Sequence, residues 1–472
     1  MYSFFLFRRG PTFAVSIKKT NENESEIISV RSSDLGKESM PDWMFILWAG
    51  GTALLSYSLV YALRKPFTAA EFAGQEVFGM DYKIAVSIVQ LVGYVMAKML
   101  GIKFISELKP ENRLKFIIGS AALSEASLLL FALLPAPYNV GALFFNGLSL
   151  GCMWGVIFSF LEGRRTTDFL ASIMGVSMAL SSGVAKSVGI YTLNTLGVSE
   201  FWMPACIGAI AFPLLSFLGW VMTRFPDPTP ADIAARSPRY TLNGKERMSL
   251  FRKFMPLLLL LFGANLLLTV LRDIKEDFIV CIIDVSTISS WLFARLDAIA
   301  TLIMLAVFAL LGRTRSHRTV LGILLLLSTL GMGALVLIAG CPEGTFTTAT
   351  WLFMQTLCLD IAYLSFQTIF FERFIACYKI KGNVGFFIIT IDFIGYVGTL
   401  FLLFFKEFFA AQIDWHTFYN EMTVYIGIFC CVAFAASWGY IQYYRNRQKK
   451  TNSEELESAG SFTSEKLNVE CI

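Results

Sequence analysis

From Trp43 onward the chain alternates between long apolar stretches and short polar ones. Each apolar stretch runs to about 20 residues or more, the length a helix needs to cross the hydrocarbon core of a bilayer. The pattern predicts about twelve spanning helices, at 43–70, 82–107, 114–134, 138–162, 169–193, 201–224, 254–280, 286–311, 318–340, 346–372, 383–406 and 422–444. The longest polar break between spans, 225–253, carries Pro226, Pro228, Pro230 and Pro238 and separates two sets of six. The expected layout is a disordered cytoplasmic tail (1–42), an N-terminal six-helix half (43–224), a cytoplasmic inter-half loop (225–253), a C-terminal six-helix half (254–444) and a cytoplasmic tail (445–472). This is an all-α membrane protein.

Charge adds orientation to that picture. Lys and Arg collect in cytoplasmic loops, and here they fall in alternate loops: Lys109, Arg113 and Lys115; Arg164 and Arg165; Arg236 to Lys253; Arg313, Arg315 and Arg318; Arg373, Lys379 and Lys381; then Arg445 to Lys450. The intervening loops are acidic or nearly uncharged, as at Glu71, Glu76 and Asp81, or Asp414 and Glu421. Both termini are therefore expected in the cytoplasm of a multi-pass plasma-membrane protein, in the bacterial inner membrane.

Composition narrows the function. Hydrophobic residues make up 56% of the chain and charged ones 16%, against about a quarter in soluble domains, and the mean hydropathy is +0.61. With 44 Phe and 2 His there is little material for histidine catalysis, and His317 and His416 fall in loops, so no enzyme activity is expected. The nine cysteines show no Cys-x-x-Cys pairing, and most lie inside the predicted spans and read as small apolar residues there. No metal, cofactor or nucleic acid is expected. The partners are the lipid bilayer and a small anionic solute, and the protein is expected to be a monomer.

The charges inside spans carry the functional reading, because a charged side chain at bilayer depth costs roughly 2.5–3.5 kcal/mol and usually marks a function. Arg64 ends the apolar run of span one in Tyr61-Ala62-Leu63-Arg64-Lys65, and Arg272 ends that of span seven in Asn265 to Leu271-Arg272. Two six-helix halves related by an axis along the membrane normal are the internal symmetry of the major facilitator architecture, which makes those spans equivalents. Arg64 and Arg272 are expected to converge on one anion, with Lys98, Tyr61, Lys65 and Asn265 nearby. Tyr363 and Gln367 of span ten, at helical spacing from Asp360, are expected to line the same substrate site. Asp360, Asp392, Lys186, Arg295 and Asp297 are expected to form ion pairs or to couple transport to protons, Lys186 pairing with an acid such as Asp392. Glu125 reads as structural, Gly147-x-x-x-Gly151-x-x-x-Gly155 as a helix-packing stripe, and Trp43, Trp202 and Trp415 as interface residues.

Four short stretches sharpen this. Tyr61-x-x-Arg64-Lys65-x-Phe67, Gly93-Tyr94-x-x-x-Lys98, Leu271-Arg272 and Phe393-Ile394-Gly395-Tyr396-Val397-Gly398 resemble the organophosphate:phosphate antiporter family of the major facilitator superfamily. The resemblance implies that Arg64 and Arg272 grip a phosphate and that Lys98 contributes beside them. The chain departs from that family where Ser106-Glu107-Leu108-Lys109-Pro110 replaces its Asp-Arg loop signature, where Ser181-Ser182 stands near its span-five histidine, and at Pro66. The expectation is a divergent branch: a secondary transporter of a small organic anion, a phosphate ester or phosphate. The rivals are a proton-coupled symporter of another organic anion or a muropeptide-like solute, and a transporter-like membrane sensor.

Overall fold

The structure, a computed structural model, describes residues 3–9, 12–18, 26–31, 41–227 except 163 and 165, 252, 254–378 except 287, 315 and 343, and 384–469. Near the N-terminus, where sequence predicts a disordered tail, three strands form an antiparallel meander: β1 (Ser3–Arg9), β2 (Thr12–Lys18) and β3 (Glu26–Arg31). Along β2 the bulky apolar residues Phe13, Val15 and Ile17 alternate with Thr12, Ala14, Ser16 and Lys18, the period of a strand rather than of a spanning helix.

The remainder is a helical bundle. Its first half holds α1 (Trp43–Arg64), α2 (Tyr82–Glu107), α3 (Pro110–Leu133), α4 (Val140–Ser159), α5 (Thr167–Asn194) and α6 (Met203–Met222). The second half holds α7 (Met255–Ile282), α8 (Leu292–Arg313), α9 (His317–Ala339), α10 (Thr348–Ser365, continued through Phe371–Tyr378), α11 (Val384–Phe409) and α12 (Trp415–Val469). Among the described residues ten of these are long and apolar enough to cross a membrane, and α10 and α11 complete the two sets of six. The expected inter-half loop falls largely on 228–251, outside the described residues. Where a short span and a polar tail are expected at the C-terminus, α12 starts at Trp415 and stays helical through Val469.

Small residues set the closest helix crossings. Gly93 of α2 lies against the Phe144 carbonyl, and Gly147 of α4 against that of Gln90, so any β-carbon at either position would enter the neighbouring backbone. Gly151, the next small residue of the stripe, meets Ala97. The halves meet along α5 and α8 and along α2 and α11. On the second line Leu91, Tyr94, Val95 and Tyr396 form one buried cluster, flanked by Phe393 and Leu400.

Two irregularities position the site. Pro66 has no N–H and disfavours helix at the residue before it, so α1 stops at Arg64 and continues as a tight 3₁₀ turn, Pro66–Ala69. In α10 a π-helical turn, Phe366–Phe370, inserts between two α-helical segments and rotates the second relative to the first. Gln367 lies on that turn.

Candidate functional site: the charged layer between the halves

The end of α1 is held from behind by neutral side chains. Asn146 Nδ2 donates to the Leu63 carbonyl at 3.0 Å, and Gln90 Nε2 donates to the Arg64 carbonyl at 2.8 Å. Gln90 Nε2 also donates to Asn146 Oδ1 (2.8 Å), and Asn146 Nδ2 to Ser124 Oγ (2.8 Å). These bonds satisfy carbonyls that a terminating helix leaves open and fix the direction in which Arg64 projects.

Arg64 is 5% exposed. Its guanidinium lies over the Tyr94 ring, 3.7 Å from the centroid, with the Tyr396 ring at 6.0 Å. It has no carboxylate within ion-pair distance among the described residues, and its Nε is buried without a hydrogen bond. Arg272 is equally buried but differently furnished. Its Nε stands 3.7 Å from Asp360 Oδ1, its Nη1 4.0 Å from Asp273 Oδ1, and its guanidinium 4.7 Å from the Tyr363 ring centroid. Tyr61 is the group common to both: it is buried and lies in the fields of Arg272 and Arg64.

Other expected residues are brought together in pairs that cross between the halves. Lys98 of α2 meets Asp392 of α11 at 2.5 Å, and Gln367, turned by the π-helical segment, donates to the same carboxylate at 2.7 Å. Lys98 also lies 4.7 Å from the Tyr396 ring centroid, and Tyr94 and Tyr396 touch edge to face across the boundary. Lys65 pairs with Asp277 of α7, and Asp81 N–H donates to Glu407 at 3.1 Å.

Lys186 corrects the expectation of an Asp392 partner. It bonds Glu276 of α7 at 2.7 Å, because α5 packs against the second half at the depth of Glu276 while α2 takes the place beside Asp392. Glu276 also receives the Ser182 hydroxyl and lies 3.2 Å from Lys275, which itself donates to Thr356 at 2.9 Å. Asp297 is buried beside Thr356. Two expected residues stand apart. Arg295 is exposed on the opposite face of α8. Asn265 is buried two turns before Arg272, with its amide near Thr269.

Sequence reading passed over Asp273, Lys275, Glu276 and Asp277. The signal was present: Arg272-Asp273-Ile274-Lys275-Glu276-Asp277 puts five charges in six positions at the end of an apolar run. Gln90 and Asn146 gave less warning, since an amide inside a span carries no charge and its partner depends on tertiary packing.

The arrangement offers one buried, uncompensated guanidinium beside tyrosine hydroxyls and rings, bordered by ion pairs that bridge two helical halves. Such a site suits a phosphate, sulfate, phosphonate or carboxylate group.

Solved structures share this fold. A peptide transporter POT in complex with sulfate matches at TM-score 0.58 and 13% identity, covering 86% of this chain and 96% of its own. A POT family transporter in complex with a thioalcohol-conjugated peptide matches at TM-score 0.58 and 13% identity, covering 87% and 98%. Another in complex with 5-aminolevulinic acid matches at 0.56 and 14%, covering 85% and 96%. These likenesses establish the major facilitator type of fold. No curated protein matches the sequence. Residues 66–444, well over half of the chain, match the family described as a family of unknown function (DUF5690), and this protein belongs to that family.

Proposed function

We propose that this protein is a secondary active transporter that moves a small organic anion, a phosphate ester or phosphate, by alternating access. One observation carries the reading: Arg64, at the boundary between the halves, is a buried cation with no carboxylate in ion-pair distance among the described residues. A buried charge is normally paired, so a ligand anion is the natural complement. Arg64 is the primary ligand, Arg272 and Tyr61 complete the site from its far side, and the Lys98–Asp392 and Lys65–Asp277 pairs open and close around it. Rocking of one half against the other exposes the site alternately to each side of the membrane. We place both termini in the cytoplasm of the bacterial inner membrane.

A thermal-shift screen of the purified protein tests this against inorganic phosphate, phosphate monoesters, carboxylates and dipeptides. A ligand at 100 times its Kd raises stability by about 2.7 kcal/mol. Phosphate esters should raise the melting temperature of the wild type and leave that of Arg64→Ala unmoved. An equal shift in both proteins would sink the proposal. A second reading, proton-coupled symport of a peptide-like or other organic anion, draws support from the complexes of the POT structures with a conjugated peptide and 5-aminolevulinic acid. Stabilisation by dipeptides but not by phosphate esters would select it.

A further inference from the structure

The charges around the site come close to balancing when all are ionised: Arg64, Lys65, Lys98, Lys186, Arg272 and Lys275 stand against Asp273, Glu276, Asp277, Asp297, Asp360 and Asp392, with buried Lys83 near Asp277 as a further cation. An anion arriving at Arg64 therefore adds negative charge to a layer from which water is largely excluded, and such an excess is costly unless a positive charge enters with it.

One carboxyl is placed to take that charge. Asp277, Asp392, Glu276, Asp360 and Asp273 each have a cation within 4.0 Å. Asp297 has none among the described residues, and its one hydrogen bond is with the Thr356 hydroxyl at 3.4 Å. It is 6% exposed. Lys186 of α5, Lys275 and Glu276 of α7 and Asp360 of α10 surround it, whereas Arg295 on its own helix is exposed. Gly183 of α5 lies directly against its carboxylate, and a β-carbon there would also come within 2.8 Å of the Phe293 carbonyl. Asp297 thus sits where α5 of one half presses on α8 of the other. A cavity of about 10 Å³, lined by Asp297, Lys186, Lys275, Glu276 and Thr356, adjoins it and is the size of a single water molecule.

Resting on the reading of Arg64 as an anion ligand, we propose that Asp297 is a proton-binding site, loaded when the anion binds and emptied when the anion leaves. The proton passes from water in the adjoining cavity to the Asp297 carboxylate and returns to water by the same route. Once ionised, Asp297 competes with Glu276 for Lys186. Loss of the proton therefore alters an ion pair that joins the two halves. By linkage, acidification strengthens anion binding as much as the anion strengthens proton binding.

The full-length protein in detergent or liposomes tests this in two ways. Infrared difference spectra between acid and alkaline buffer, without any anion, should contain a protonated-carboxyl carbonyl component in the wild type and in Asp392→Asn that is missing from Asp297→Asn. Binding of inorganic sulfate, whose charge is constant over the range, should weaken by about tenfold per pH unit above the titration in the wild type and by less than about twofold in Asp297→Asn. An infrared difference spectrum identical to that of the wild type, or an unchanged pH slope, in Asp297→Asn overturns the proposal. If sulfate binds neither protein, the anion reading fails, and the infrared measurement still decides the proton site. Should Asp297→Asn not fold, Thr356→Val, which removes the hydroxyl partner, should shift the pH at which the band titrates. A band that does not move overturns the assignment.

Discussion

Arg64 and Arg272 both stand on the first helix of their half, yet their surroundings differ. Arg64 rests on an aromatic face with no carboxylate in ion-pair distance among the described residues, while Arg272 arrives with Asp360 and Asp273 on its own half. A shared place in helix order thus does not fix electrostatic role. A cation already balanced within its own half holds that half together. An unbalanced one leaves room for something that is not part of the chain.

The sharpest way to break the comparison is to remove each cation in turn. Arg272→Ala strands buried Asp360, and deleting one partner of a buried pair costs about 3–5 kcal/mol. Thermal or denaturant melts should show that loss, with Asp360→Asn recovering part of it in the same chain. Arg64→Ala should leave the fold within about 1 kcal/mol of wild type, since it removes an uncompensated charge. Its anion affinity should fall by about 1.5–3 kcal/mol, the worth of a charged hydrogen bond. If both variants lose stability equally, the asymmetry has no energetic meaning.

Arg64→Lys refines the point. A lysine keeps the charge but not the planar fork, and affinity should drop by about tenfold, or about 1.4 kcal/mol. Next comes the Lys98–Asp392 pair, which joins the halves. A double-mutant cycle with Lys98→Met and Asp392→Asn should give a coupling of about 0.5–3 kcal/mol, and a value near zero would remove this pair from the contact between the halves. The smallest effect belongs to the ring beneath Arg64. Tyr94→Phe keeps the π-face and should change anion affinity by less than about 0.5 kcal/mol, while Tyr94→Leu should change it by about 1 kcal/mol.

The bundle was legible because apolar length and loop charge report directly on a membrane environment. Both arginines were legible for the same reason, a charge where charge is expensive. Pairing was not. Lys186 and Asp392 looked like partners because both are lone charges in long apolar helices, but partnership depends on depth and on which helices adjoin, and Glu276 intervened from a run read as the end of a span. Gln367 is two turns from Asp360 by sequence spacing, and the extra residue of a π-helical turn sends it to Asp392 instead. The strands near the N-terminus fell within a polar segment whose short alternating runs were outweighed by its Lys, Glu and Ser content.

The backing behind Arg64 has a mechanical consequence. Gln90, Asn146 and Ser124 tie the end of α1 to α2, α3 and α4, and Gly93 and Gly147 bring α2 and α4 into backbone contact. Neither link can stretch without opening buried hydrogen bonds or parting two main chains. These four helices should therefore travel as a single stiff block, with Arg64 as a fixed pointer on it. Compliance is left to the α5–α8 seam, where a bare glycine faces Asp297. A side chain added at Gly183 would act as a wedge in that seam and stop the stroke while the pointer stayed in place.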